Sequence, residues 1–266
     1  MEEHIKTEDN TFDLNVKINT KIYEDKNQKT FNTAIKDMIF DVPQGEFCSL
    51  VGPSGCGKTT LLNMLSGLDQ NIDGNINYRD GSRPNDWPIG YMFQEARLIP
   101  WLTVRENVDI VTDQSEASKN LGIELIKEIE LEKYMNSYPS QLSGGMQRRV
   151  AIARAFVNKP RILLLDEPFI SLDQNVANLL RQILLRSWQN QKTTIIFVTH
   201  DLREAIYLSD RILFLSKGPS KIIHESQINI KRPRQTDSEE VEEIEINYLK
   251  HILIYYQEKF NKQRKQ

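Results

Sequence analysis

Gly52-Pro53-Ser54-Gly55-Cys56-Gly57-Lys58-Thr59-Thr60 sets a lysine and two hydroxyls directly behind a glycine-rich turn. The spacing is GxxxxGK followed by Ser or Thr, the pattern of a phosphate-binding loop. Its glycines let the backbone curl so that successive N–H groups point inward at phosphate oxygens. The helix start behind it adds partial positive charge. Lys58 is then expected to reach the β- and γ-phosphates, and the Thr59 hydroxyl to ligate Mg2+. The flanks agree with this chemistry. Phe47–Val51 is short and apolar, as a buried strand is, and residues 61–65 have the spacing of a helix that buries one side. A chance glycine-rich turn does not call for strand, turn and helix in that order. The chain is expected to bind a nucleoside triphosphate.

Two further stretches carry chemistry. Arg161-Ile162-Leu163-Leu164-Leu165-Asp166-Glu167 is an apolar strand that delivers two carboxylates at its C-terminal tip, the edge at which open parallel sheets bind ligands. Asp166 is placed to hold Mg2+, directly or through water, and Glu167 to accept a proton from an attacking water. Alone, the pair would read as a solvated acidic turn; after a phosphate loop it reads as a site. Leu142-Ser143-Gly144-Gly145-Met146-Gln147 is a second anion-binding helix start. Ser143 is a good N-cap, the two glycines leave backbone N–H groups uncovered, and Val150, Ile152, Ala153 and Phe156 follow on an inward face. One triphosphate cannot easily use both helix starts within a single compact subunit.

The elements that must position these residues follow from apolar patterning. Residues 12–42 read as short alternating strands, with a polar stretch at 24–32 that loops out. Residues 74–78 and 89–93 read as strands. Residues 95–156 turn helical, with interruptions at Pro100, Pro139 and Gly144-Gly145. The runs 162–165, 195–198 and 212–215 are continuously apolar, which suits a parallel sheet covered on both faces. Lys217-Gly218-Pro219 closes that part of the chain. Residues 236–266 open on an acidic turn, carry Ile244, Ile246, Leu249, Ile252 and Tyr256 at roughly helical spacing, and end in Lys and Arg, as a docked amphipathic helix would.

A length of 266 residues suits one domain with a subdomain, and a net charge of −3 gives no basic footprint for nucleic acid. Cys48 and Cys56 are expected to be small buried residues, not a disulfide. No stretch has the length of a membrane-spanning helix, and the acidic start Met1-Glu2-Glu3-His4 is not that of a signal peptide. A membrane role would need a partner.

Together the motifs resemble the ATP-binding cassette (ABC) family, whose LSGGQ signature is copied here with Met146 in place of Gln. The resemblance covers about residues 12–216. It places Gln94 as the Q-loop glutamine, Ser171-Leu172-Asp173 as the D-loop (with Ile170 where Ala is more usual) and His200, in Thr199-His200-Asp201, as the switch histidine. Tyr23 resembles the aromatic that stacks on adenine; Phe31 and Tyr78 compete for that place. The fold it implies is α/β, a P-loop ATPase fold with a mostly parallel core sheet, an antiparallel β-subdomain and an inserted helical subdomain near 95–156. The ATPase domain is then 1–235, and 236–266 a C-terminal helical extension. The cofactors implied are ATP and Mg2+, with Gln94 joining Thr59 and Asp166 around the metal. Lys58, Gln94, Glu167 and His200 are the implied catalytic set. Such domains form head-to-tail dimers in which each triphosphate is clamped between the phosphate loop of one subunit and Ser143-Gly144-Gly145 of the other.

The segment Gln94-Glu95-Ala96-Arg97-Leu98-Ile99-Pro100-Trp101-Leu102-Thr103-Val104-Arg105-Glu106-Asn107-Val108 narrows the resemblance. It is similar to ATPase subunits of the nitrate/sulfonate/taurine importer group, as is Arg232-Pro233-Arg234. Leu98, Ile99, Trp101 and Leu102 are then the expected permease contact, ordinary subdomain core being the bland alternative. The partners implied are a second copy, two integral membrane permease subunits and a secreted or lipid-anchored solute-binding protein, at the cytoplasmic face of the cell membrane. An export or lipoprotein-release ATPase would share the Leu-x-Pro pattern without the Trp. A soluble ABC ATPase in DNA repair or translation would bring long coiled-coil insertions or a second cassette.

Overall fold

The computed structural model describes residues 12–25, 30–79, 89–170, 172–191, 193–234 and 238–263. Its centre is a sheet of β3 (Phe47–Val51), β5 (Ile89–Met92), β6 (Ile162–Asp166), β7 (Thr194–Thr199), β8 (Arg211–Leu215) and β9 (Ile222–Gln227), in the order β5-β6-β7-β3-β8-β9. All neighbours are parallel except β8 and β9. The apolar runs are buried on both faces, and their residues alternate between two cores. Leu163, Leu165, Ile195 and Phe197 face a cluster with the helical part of the chain. Ile162, Leu164, Ile196 and Val198 face a second cluster shared with α1 (Lys58–Leu65) and an antiparallel sheet. Period-two alternation thus binds a helical layer to one side and a β-layer to the other.

That second sheet is β2-β1-β4, made of β1 (Phe12–Asp25), β2 (Thr30–Pro43) and β4 (Asp73–Tyr78). Here the expected polar loop at 24–32 is corrected. β1 and β2 are long and stay paired through Tyr23 with Asn32, Glu24 with Phe31 and Asp25 with Thr30. The described residues at this end, 22–24 and 30–32, are exposed, so their polarity says nothing against a strand; residues 26–29 of the expected loop lie outside the described residues. Beyond Lys217-Gly218-Pro219 the sheet gains a strand not expected from the sequence, because β9 returns antiparallel beside β8. Its half-buried residues give too weak an alternation to read.

Between β5 and β6 lie α2 (Val104–Asp109), α3 (Glu116–Glu128) and α4 (Gly144–Phe156). A capping box of Thr103 and Glu106 starts α2, and the Ser143 hydroxyl caps α4 by accepting the Met146 N–H at 3.3 Å. Val150, Ile152, Ala153 and Phe156 are buried. Beyond β6 come α5 (Gln174–Gln191), α6 (Leu202–Leu208) and, after β9, α7 (Glu239–Gln263). α7 packs through Val241 and Tyr248, whose ring stacks on Phe214 at 3.8 Å. Its buried face is therefore rotated from the expected one: Ile244 packs inward, but Ile246 and Leu249 are exposed. The side chains of Ile252 and Tyr256 lie outside the described residues.

Candidate nucleotide site

The strand order explains the site. β5, β6, β7 and β3 lie side by side and end on the same edge. Their C-terminal tips present Gln94, Asp166-Glu167, His200 and the Gly52–Thr60 loop in that order, although these are scattered through the sequence. They line two adjoining clefts, of about 610 and 520 Å3.

The loop from Gly52 to Gly57 folds tightly. A Cβ on Gly52 would meet Cys56 Sγ and Leu215 Cβ at 3.0 Å, and Gly57 has φ +110°, a conformation that L side chains rarely adopt. The buried Lys58 ammonium donates to Gly52 O at 2.7 Å and Pro53 O at 3.1 Å. Ser54, Gly55, Gly57 and Thr60 line the larger cleft with it, whereas Cys56 is buried beneath the loop and Pro53 is exposed. No side chain caps the first turn of α1, so the N–H groups there have no side-chain acceptor.

Thr59 Oγ1 donates to Asp166 Oδ2 at 2.7 Å. Burial pushes the Asp166 carboxyl above its usual range, the Thr59 bond opposes that, and the neighbouring Glu167 charge adds to it. A hydroxyl and a carboxylate in contact form an all-oxygen pair suited to a hard divalent cation. Gln94 lines both clefts. Glu167, only 12% exposed, lies between the Lys58 ammonium and the His200 imidazole: Lys58 Nζ is 3.7 Å from Oε1 and His200 Nδ1 is 3.1 Å from Oε2. Its backbone has φ +46° and is held by its N–H to Val198 O at 2.9 Å. The positive φ turns the carboxylate back across the strand ends, a strained geometry that neighbouring structure must hold.

Tyr23 lines the larger cleft and is 41% exposed. Its hydroxyl donates to Asp69 Oδ2 at 3.2 Å, and Lys21 Nζ lies 4.8 Å from its ring centroid. Of its competitors, Tyr78 is ruled out because its ring is buried and its hydroxyl donates to Leu65 O; Phe31 is exposed at the hairpin tip.

Ser143 and Gly144 are exposed but do not line these clefts. A Cβ on Gly145 would be 3.4 Å from Leu172 Cδ2, so the α4 start and the turn before α5 are neighbours. Asp173 caps α5, accepting the Val176 N–H at 3.0 Å; Ser171 lies outside the described residues. Met146 packs against the helical core.

Trp101 is 74% exposed and so is not core, while Leu98 packs against the core and Ile99 and Leu102 are half-buried. Sequence reasoning missed what holds this segment. The fully buried Asn107 side chain accepts the Ile99 N–H at 2.8 Å and donates to Ile99 O, Leu102 O and Thr103 O at 3.0–3.1 Å. Arg154 of α4 donates to Ala96 O and Arg97 O, and Arg148 to Glu167 O and Pro168 O at 3.4 Å. A polar side chain at an otherwise buried helical position was the available signal.

The ABC transporter family profile matches residues 35–170. The chain is 44% identical over 214 residues to an aliphatic sulfonates import ATP-binding protein, SsuB, of Bacillus cereus, covering 79% of this chain and 84% of that one. It is 40% identical over 225 residues to the Bacillus subtilis protein of the same name, covering 83% and 87%. An uncharacterised ABC transporter ATP-binding protein of Methanocaldococcus jannaschii is 42% identical over 246 residues, 90% of each chain. Among solved structures, the dimeric post-hydrolysis state of the ATP-binding cassette MJ0796, bound to ADP and phosphate, superposes with a TM-score of 0.72 at 32% identity. It covers 82% of this chain and all of that one.

Proposed function

The chain belongs to the ABC transporter family, and from that premise we propose how it works. It is an ATP-hydrolysing, energy-coupling subunit of an importer that binds ATP, pairs with a second copy and drives membrane permease subunits. The observation that carries its chemistry is the convergence of Lys58, Thr59, Asp166, Glu167 and His200 on one sheet edge.

In the proposed cycle, the phosphate loop and Lys58 hold the triphosphate and Tyr23 takes the adenine. Thr59 and Asp166, with Gln94, would hold Mg2+, which when bound neutralises charge on the phosphates. Glu167 orients the attacking water and takes its proton; Lys58 and His200 stabilise the charge that develops. Ser143, Gly144 and Gly145 engage the nucleotide of the partner subunit, and Leu172 and Asp173 of the expected D-loop sit beside that contact. Because each γ-phosphate bridges two subunits, its loss opens the pair. Trp101, with Leu98, Ile99 and Leu102 around it, docks the permease subunits, an assignment supported by the exposure of the indole. Residues 1–235 are taken as the ATPase domain and 236–266 as an extension docked through Val241 and Tyr248.

No helix among the described residues is long and apolar enough to cross a membrane. The proposed place of the chain is therefore peripheral, on the cytoplasmic face, held by the permease and served by a solute-binding protein. The proposed cargo is an aliphatic sulfonate, the solute named for its relatives. A strain lacking this chain and given labelled ethanesulfonate, taurine or nitrate tests that directly. Loss of sulfonate uptake, restored by the wild-type chain but not by Glu167→Gln, is expected. Unchanged sulfonate uptake would reject the cargo.

A further inference from the structure

We propose that Thr199, Glu204 and Arg181 are positioning residues that set the posture of His200. The inference rests on the reading of His200 as a group that acts on the nucleotide. The imidazole is 52% exposed and has one charged neighbour, Glu167 at 3.1 Å. A ring so open to solvent keeps a defined position only if the backbone beneath it is fixed.

The structure supplies that fixation in three links. Thr199 Oγ1 accepts the Asp201 N–H at 3.0 Å, a short turn that spans His200. The single proton of that hydroxyl goes to Glu204 Oε2 at 2.9 Å. The other oxygen, Glu204 Oε1, takes Arg181 Nη2 of α5 at 2.5 Å. Arg181 is itself seated, donating to Asn178 Oδ1 at 2.8 Å with its guanidinium 5.3 Å from the Phe169 ring centroid.

Glu204 is not needed to start α6. Asp201 already caps that helix, accepting the Arg203 and Glu204 N–H groups. The Glu204 carboxylate is instead divided between Thr199 and Arg181, both buried. A buried ion pair is weak evidence for stability, because desolvation offsets its attraction. What this pair does determine is direction: it fixes the Thr199 hydroxyl, and so the turn that carries His200.

The test pairs two substitutions that both cost stability and are expected to differ in turnover. Thr199→Val keeps shape and loses the hydroxyl; Thr199→Ser keeps the hydroxyl and loses a buried methyl. In the purified full chain, Thr199→Val is expected to lower kcat about tenfold with the ATP KM unchanged, and to lower the melting midpoint because the Asp201 N–H and the Glu204 carboxylate each lose a partner. Thr199→Ser should hold kcat while its midpoint drops. Glu204→Gln should lower kcat, and adding it to Thr199→Val should cost little more, as for residues that act as a unit. If kcat instead follows the melting midpoint across these variants, or Thr199→Val turns over at the wild-type rate while His200→Ala does not, the positioning role is wrong. If His200→Ala itself keeps wild-type turnover, the reading of His200 fails, and the relay with it.

Discussion

Glu167 shows how the chemistry is set residue by residue. Its left-handed backbone and its bond to Val198 aim the carboxylate between Lys58 and His200. In the proposed cycle that is where the attacking water is oriented, and the neighbouring Asp166, bonded to Thr59, is given the metal instead. Glu167→Gln keeps the shape and removes the proton acceptor. It is expected to lower ATP hydrolysis at least about a hundredfold while ATP binding persists, and with ATP the variant should elute as a stable dimer. Near wild-type hydrolysis would assign the proton to another group. These residues were legible because each motif is contiguous and its flanks name the element that carries it. Thr199, Glu204 and Arg181 were not, since they meet only after three separate elements pack, and none is unusual where it stands in the sequence.

At the scale of elements, four adjacent strand ends make the site, and one pinned segment presents the surface beside it. The sheet was legible because its strands are buried on both faces and read as unbroken apolar runs. The inner part of the β1–β2 hairpin was legible from its alternation, but its outer end was not, because the described residues there are exposed and carry no alternation. Trp101 was visible in the sequence as part of an apolar cluster, but only its exposure separates docking from core. Trp101→Ala is therefore expected to leave the melting midpoint nearly unchanged and to weaken attachment to the permease, measured by co-purification. A surface change of this kind costs no more than about 0.5 kcal/mol. Asn107→Ala differs. It removes the side-chain partner of the Ile99 N–H and of the Leu102 carbonyl, whereas the Ile99 and Thr103 carbonyls keep backbone donors; it costs about 1–3 kcal/mol, and should lower the midpoint by several degrees along with attachment. A large loss of stability in Trp101→Ala alone would return the indole to the core.

In the proposed cycle no single chain completes a site. The start of α1 lies in the cleft; the start of α4, with Ser143 and Gly144 exposed, lies outside it. The two helix starts were legible from the sequence, but their separation within the subunit required the fold. Mixing two defective subunits tests whether the site is shared. Lys58→Ala spoils the phosphate loop and Ser143→Arg spoils the α4 start, so each homodimer should fail to trap ATP. In a heterodimer of the two, both lesions fall in the same shared site, and the other site has an intact Lys58 facing an intact Ser143. The mixture should therefore regain ATP-dependent dimerisation, with about one nucleotide trapped per pair by this symmetry. Were Ser143 to serve the ATP of its own subunit, every site in the mixture would be damaged. No recovery of trapping, in a mixture shown to contain heterodimers, would contradict the shared site.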